Sequence, residues 1–126
     1  MAQTGQINKP KIVTPSPVSI TSTNYDATKY MSVPLPANIT LSIIRLQGTF
    51  ATTSKVSIQV SRDAAGDDII IPSTEATLAV GTTTASVGVV MFEVETNIYT
   101  QRELYVHAKV DAGTYTWTTT EMWWRQ

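Results

Sequence analysis

In the stretch KVSIQVSR, residues 55–62, polar and apolar side chains alternate without a break from Lys55 to Ser61. Val56, Ile58 and Val60 share one parity, while a lysine, two serines and a glutamine share the other. Successive side chains of a strand point to opposite faces of its sheet, so this period of two predicts a strand with one face in a core. A strand that is buried on one face only is typical of an antiparallel sheet.

The segments on either side of this strand extend the same pattern. Ile39–Thr52 is predicted to be a long strand, in which Gly48 indicates a bulge or a close approach of the backbone. Asp63–Asp68 is predicted to be a turn, because Asp and Gly accept the backbone angles of tight loops. Pro72 is expected to end the strand after that turn, since proline cannot donate to a ladder. The remaining predicted strands are Ile12–Thr23 in two pieces, Ala27–Val33, Ile69–Ile71, Ala76–Val80, Ser86–Glu95, Glu103–Val110 and Thr114–Trp124.

The composition agrees with this reading. The chain of 126 residues contains 21 Thr, 12 Val and 11 Ile, the β-branched residues that pack well on a pleated surface. Turn signals recur every ~8–12 residues, which is typical of a sandwich or barrel. We therefore expect an all-β protein: an antiparallel, jelly-roll-like β-sandwich of about eight to ten short strands. Met1–Lys11 is predicted to be an extended arm and residues 12–126 a single sandwich domain.

Few residues in the chain could carry catalysis. It has no cysteine and one histidine, whereas a catalytic zinc needs three protein ligands. His107 has outward parity on its strand and is expected to lie at the surface. Glu93 and Glu95 share a face but fall at a strand end before a turn, which favours a solvated strand end over an acid–base pair. We expect no enzyme, no metal and no cofactor, and we interpret Asp63, Asp67 and Asp68 as an ordinary turn rather than a calcium loop.

The charge balance also limits the partners. The formal net charge is -1 and only 15% of residues are charged, which argues against nucleic-acid binding because that requires a basic surface. No stretch approaches about 18 consecutive apolar residues, so no membrane-spanning helix is predicted. Met1–Lys11 lacks the apolar core of a signal peptide.

Two segments are candidates for an interface. Ser86–Glu95 is apolar on both parities, so its second face is expected to meet a partner if the strand is not central in a sheet. Trp123 and Trp124 are adjacent, so one of them must lie outside the core face. The predicted interface residues, including cations of the arm, are Lys9, Lys11, Val87, Val89, Met91, Trp123, Trp124 and Arg125.

Aromatic side chains near the C-terminal end allow two interpretations. Tyr105, Tyr115 and Trp117 could form a platform on which sugar rings stack. The other interpretation is that these large side chains fill the sandwich core, where Tyr and Trp bury much apolar area.

The chain resembles small all-β proteins of tailed-phage particles, such as capsid decoration or cement proteins and fibre sandwich modules. The resemblance lies in the cysteine-free β-branched composition, the polar arm, the hairpin Tyr105-Val-His-Ala-Lys-Val-Asp-Ala-Gly-Thr-Tyr115 and the aromatic tail. It implies a non-catalytic virion protein of the capsid surface or tail, homo-oligomeric, whose partners are the major capsid protein or other virion subunits. The alternative is a carbohydrate- or receptor-binding sandwich module.

Overall fold

The structure, a computed structural model, describes residues 10–50, 54–78, 86–100 and 102–126. These residues form two antiparallel sheets that pack against each other. The nine strands of the described residues are β1 (Lys11–Val13), β2 (Val18–Ile20), β3 (Tyr30–Leu35), β4 (Ile39–Phe50), β5 (Ser54–Ser61), β6 (Ile69–Leu78), β7 (Ser86–Ile98), β8 (Arg102–Val110) and β9 (Tyr115–Arg125).

The strand order is that of a jelly roll. The first sheet runs β1-β9-β4-β7, with β2 also paired to β9, and the second sheet runs β3-β8-β5-β6. The pairs are nested around the β5–β6 hairpin: β4 pairs with β7, β3 with β8, and both β1 and β2 with β9. Such nesting is a long hairpin rolled into two sheets, so the predicted all-β, jelly-roll-like sandwich is confirmed.

The core lies between the two sheets. Val56, Ile58 and Val60 have no exposed surface, as the alternation of residues 55–62 predicts. The two pieces predicted around Pro15 and Pro17 are β1 and β2. Lys11, which was assigned to the arm, instead begins β1 and pairs with Met122.

The prediction that Pro72 ends a strand is wrong. β6 continues through it as one strand, and the register against β5 shifts between Ile58 and Val60, where β6 has an extra residue. β6 is the edge of the second sheet, so the backbone nitrogen of Pro72, which has no hydrogen to donate, can face away from β5. A bulge at an edge therefore replaces the predicted break.

A second bulge lengthens β7 beyond its predicted end at Glu95. Leu41 of β4 pairs with Thr96, whereas Ile43 pairs with Glu93, so β7 carries one extra residue here. Glu95 has a φ of 36°. The strand then continues to Ile98, and the turn expected after Glu95 is not formed.

Candidate functional site

The outer face of the second sheet is covered by the chain's own connections. Ser57 and Ser61 have outward parity on β5, yet both are buried. The connection between β2 and β3 places Tyr25 over this face, where its hydroxyl bonds to the Ser73 hydroxyl at 2.7 Å. The Lys109 ammonium lies 4.9 Å from the centre of the Tyr25 ring. Of the large apolar side chains that the structure describes on this side, Ile69, the partner of Ser61 on the edge strand β6, stays exposed.

His107 is part of this covered face, and the prediction that it lies at the surface is wrong. The parity was right, but the β5–β6 loop folds over the ring and leaves the residue 1% exposed. The ring Nε2 lies 2.9 Å from the carbonyl oxygen of Ala64, and Nδ1 has no hydrogen-bond partner. Tyr30 packs beside it, with ring centres 5.4 Å apart. The histidine holds a loop in place, a role that parity within one strand cannot reveal.

The loop over His107 is organised by its own first carboxylate. Asp63 accepts hydrogen bonds from the backbone N–H groups of Asp68 at 2.9 Å and Asp67 at 3.0 Å. These bonds, that from Asp68 above all, hold the pKa of the Asp63 carboxyl below its ordinary value. Among the described residues, no group of three or more His, Cys, Asp or Glu side chains could hold a metal.

Acid is expected to release this loop. An aspartate in an unfolded chain has a pKa of about 3.9, and the pKa of Asp63 is lower in the folded protein. The contribution of the Asp63 carboxylate to the stability of the loop is therefore complete above the pKa of the unfolded chain. It is lost as the pH falls through the lower pKa of the folded protein. We expect the amide protons of Asp67 and Asp68 to lose protection from exchange over this acid range. In an Asp63→Ala variant they should be unprotected already at neutral pH; protection that persists would contradict the role of Asp63.

The outer face of the first sheet, in contrast, exposes several apolar side chains between polar ones such as Glu93 and Gln47. Its exposed apolar side chains are Ile12, Val89 and Met91, with exposed fractions of 52%, 43% and 55%. Ile43 and Trp123 are half-buried, pair with each other across β4 and β9, and do not belong to the core. We call these five residues the apolar face.

An ion pair crosses the middle of the apolar face. Arg45 of β4 donates a hydrogen bond from Nη1 to Oε2 of Glu121 on β9. The side chain of Glu121 is 11% exposed and that of Arg45 is 30% exposed. Both charges therefore lie partly within protein and next to apolar neighbours, where a further layer of protein would strengthen their interaction.

The two adjacent tryptophans lie on different faces of the sheet, as predicted. Trp124 packs against the core, whereas Trp123 lies on the apolar face. Arg125 has an intramolecular role: it forms an ion pair with Glu95 and donates to the Ser42 hydroxyl, which closes the bulge of β7. Arg125 also lowers the pKa of the Glu95 carboxyl. Glu95 is thus engaged in an ion pair rather than in a pair with Glu93.

The sugar platform is wrong for two of its three residues. Tyr115 and Trp117 have no exposed surface and belong to the core, so no ligand can stack on them. Burial raises the pKa of the Tyr115 hydroxyl, and the Trp117 indole donates to the Thr120 hydroxyl at 3.0 Å. Tyr105 alone is partly exposed, and Tyr30 meets its ring edge-on at 5.5 Å. The core interpretation is confirmed for Tyr115 and Trp117.

Three predicted interface residues remain, and the structure describes the side chain of one of them, Lys11. Lys11 is exposed on β1, but it pairs with the core residue Met122, so its parity is opposite to that of Ile12 on the apolar face. Lys9 and the side chain of Val87 lie outside what the structure describes.

Comparisons of the chain with known protein families, with curated proteins and with solved structures found no match. Within the described ranges, no helix is long and apolar enough to cross a bilayer.

Proposed function

We propose that the protein is a non-catalytic structural subunit of a virion, a capsid decoration or cement protein that stabilises the particle through subunit contacts. The observation that carries this proposal is the contrast between the two sheets. The chain's own loops cover much of the outer face of the second sheet and leave Ile69 exposed at its edge, whereas Ile12, Val89 and Met91 stay exposed on the first.

Exposed apolar side chains grouped on one face are typical of an interaction surface. Burial of apolar surface yields about 25 cal/mol per Å², and a flat sheet face can be covered over a large area by a second sheet. β7 adds to this surface, because among the described strands it is the edge of the first sheet and pairs with β4 alone. Its free backbone edge and its exposed Val89 and Met91 lie together, as expected for a strand that meets another subunit.

The jelly-roll topology supports this function at the level of the fold. Viral capsid domains use the topology, but lectin domains use it as well, so a fold alone does not select a function. The burial of Tyr115 and Trp117 removes most of the platform on which the carbohydrate-binding alternative depends. The open apolar face favours a structural partner: the major capsid protein, another virion subunit or a copy of this chain.

The proposal is tested by the state of the purified chain and by its binding to particles. Light scattering should give a mass that is a multiple of 13.8 kDa, and the protein should cosediment with capsids that lack it. A chain that remains monomeric at every concentration and does not sediment with capsids would overturn the proposal.

A further inference from the structure

One row of side chains across the apolar face has an antisymmetric order. The pairing of β1, β9, β4 and β7 aligns Ile12 with Glu121, Glu121 with Arg45, and Arg45 with Met91. Read across the sheet, the row is therefore apolar, acidic, basic, apolar. We call these four residues the central row.

Such a row is complementary to itself. Let two copies be related by a two-fold axis that lies in the plane of the interface. The axis runs roughly parallel to the strands, between β9 and β4, so it places β9 of each copy opposite β4 of the other. It also exchanges β1 with β7. Ile12 then faces the partner's Met91, and Glu121 faces the partner's Arg45. Every apolar residue of the row meets an apolar residue, and every charge meets its opposite.

The two inner positions of the neighbouring row obey the same operation, while its position on β7 is the exposed Glu93. Trp123 of β9 pairs with Ile43 of β4 within one chain. Across the axis, Trp123 faces the partner's Ile43, so a half-buried indole packs on a half-buried aliphatic side chain. Tryptophan is among the residues that contribute most at protein interfaces.

From this complementarity we infer that two copies of the chain pack through their apolar faces about this two-fold axis. The inference deepens the proposed function and rests on it. Sheets packed face to face lie about 10 Å apart, which leaves room for one layer of side chains from each copy. An isologous contact of this kind uses the same patch on both subunits and closes as a dimer.

The ion pair gives the contact its specificity. In one chain Arg45 and Glu121 already neutralise each other. In the dimer the two pairs stack in opposite orientation, so the four charges alternate and each cation has two acidic neighbours. Opposite juxtaposition fixes the register of an interface, whereas like charges across it are strongly unfavourable.

Charge reversal tests the arrangement. An Arg45→Glu variant would place four carboxylates at the centre of its own dimer, and a Glu121→Arg variant would place four guanidinium groups there. Each variant alone is expected to weaken dimerisation about a hundredfold or more. In an equimolar mixture each acid faces a base across the interface, although the two charges within each copy stay alike, so a mixed dimer of one copy of each should form in preference to either self-dimer, measured by light scattering.

A double variant guards against loss of folding in the single variants. Arg45→Glu combined with Glu121→Arg keeps an intramolecular ion pair and keeps the alternation within its own dimer. In a mixed dimer with the original chain, the double variant would place acid opposite acid and base opposite base across the interface. It should therefore dimerise with itself but not exchange with ¹⁵N-labelled original chain, measured by native mass spectrometry.

The outcomes separate the arrangement from the proposed function. If the original chain is oligomeric but exchanges freely with the double variant, the two-fold arrangement is overturned while the proposed function stands. The same holds if the mixture of single variants fails to form dimers although both are folded. If the original chain is monomeric and does not bind capsids, both proposals are overturned.

Discussion

An alanine at Gly48 is expected to lower the free energy of unfolding by about 3 kcal/mol or more. A Cβ at this position would lie 2.3 Å from the carbonyl oxygen of Thr116 and 2.9 Å from the ring of Tyr115. The first contact is with the backbone of the paired strand β9, so it is relieved only if β4 and β9 separate. The ring of Tyr115 is fully buried and has no free direction in which to move. Urea denaturation should show a fall in the midpoint of roughly 1–3 M.

Gly66→Ala is the matched control for this substitution. Gly66 has a φ of 80°, but a Cβ there would make only ordinary contact with the His107 ring, at 3.4 Å. We expect a loss of about 1–2 kcal/mol, from backbone strain alone. Equal losses in the two variants would show that Gly48 does not mark a close approach of β4 and β9.

An aspartate at Met91 is expected to abolish self-association while the fold stays intact. Met91 is 55% exposed in the single chain, so the substitution removes little of the core. In the assembly it would place a carboxylate against the partner's Ile12 and beside an Arg45 that is already paired with Glu121. Such a change costs several kcal/mol per site and weakens association more than a hundredfold. Light scattering of the variant should give the mass of a single chain, and its denaturation midpoint should stay within the range of a surface substitution.

Ile69→Asp provides the control for Met91→Asp. Ile69 is 47% exposed, but it lies on β6 at the edge of the second sheet, away from the apolar face. This variant should assemble like the original chain. If both variants assemble, or if both fail to assemble, the interface does not lie on the outer face of the first sheet.

The sequence predicted those features that depend on one strand at a time. The alternation of residues 55–62 predicts a strand with a buried face, and Val56, Ile58 and Val60 are fully buried. Gly48 was predicted to mark a bulge or a close approach. The close approach is confirmed, since a Cβ there would meet Tyr115 and Thr116. The register also shifts at Gly48, but the extra residue is in β9. The adjacency of Trp123 and Trp124 predicted that the two would separate, because strand geometry alone requires it.

The features that the sequence did not predict depend on contacts between distant segments. Pro72 lies within a strand because β6 is an edge, and strand order cannot be read from one segment. His107 is buried by a loop more than 40 residues away in the chain. The Arg45–Glu121 pair joins residues 76 positions apart, and only the register of β4 against β9 brings them together. Contacts between distant segments therefore determine that the outer face of the second sheet is covered and that of the first is open.

If the apolar face is buried when the protein assembles, a thiol placed on that face should become protected from labelling. Because the chain has no cysteine, Met91→Cys and Tyr99→Cys each introduce a single reactive thiol. Met91 lies on the apolar face, whereas Tyr99, which is 72% exposed, follows the last residue of β7. We expect the thiol at position 91 to react with a maleimide much more slowly as the protein concentration rises and the chain assembles, while the thiol at position 99 reacts at a constant rate. Equal rates at the two positions in the assembled protein would contradict burial of the apolar face on assembly.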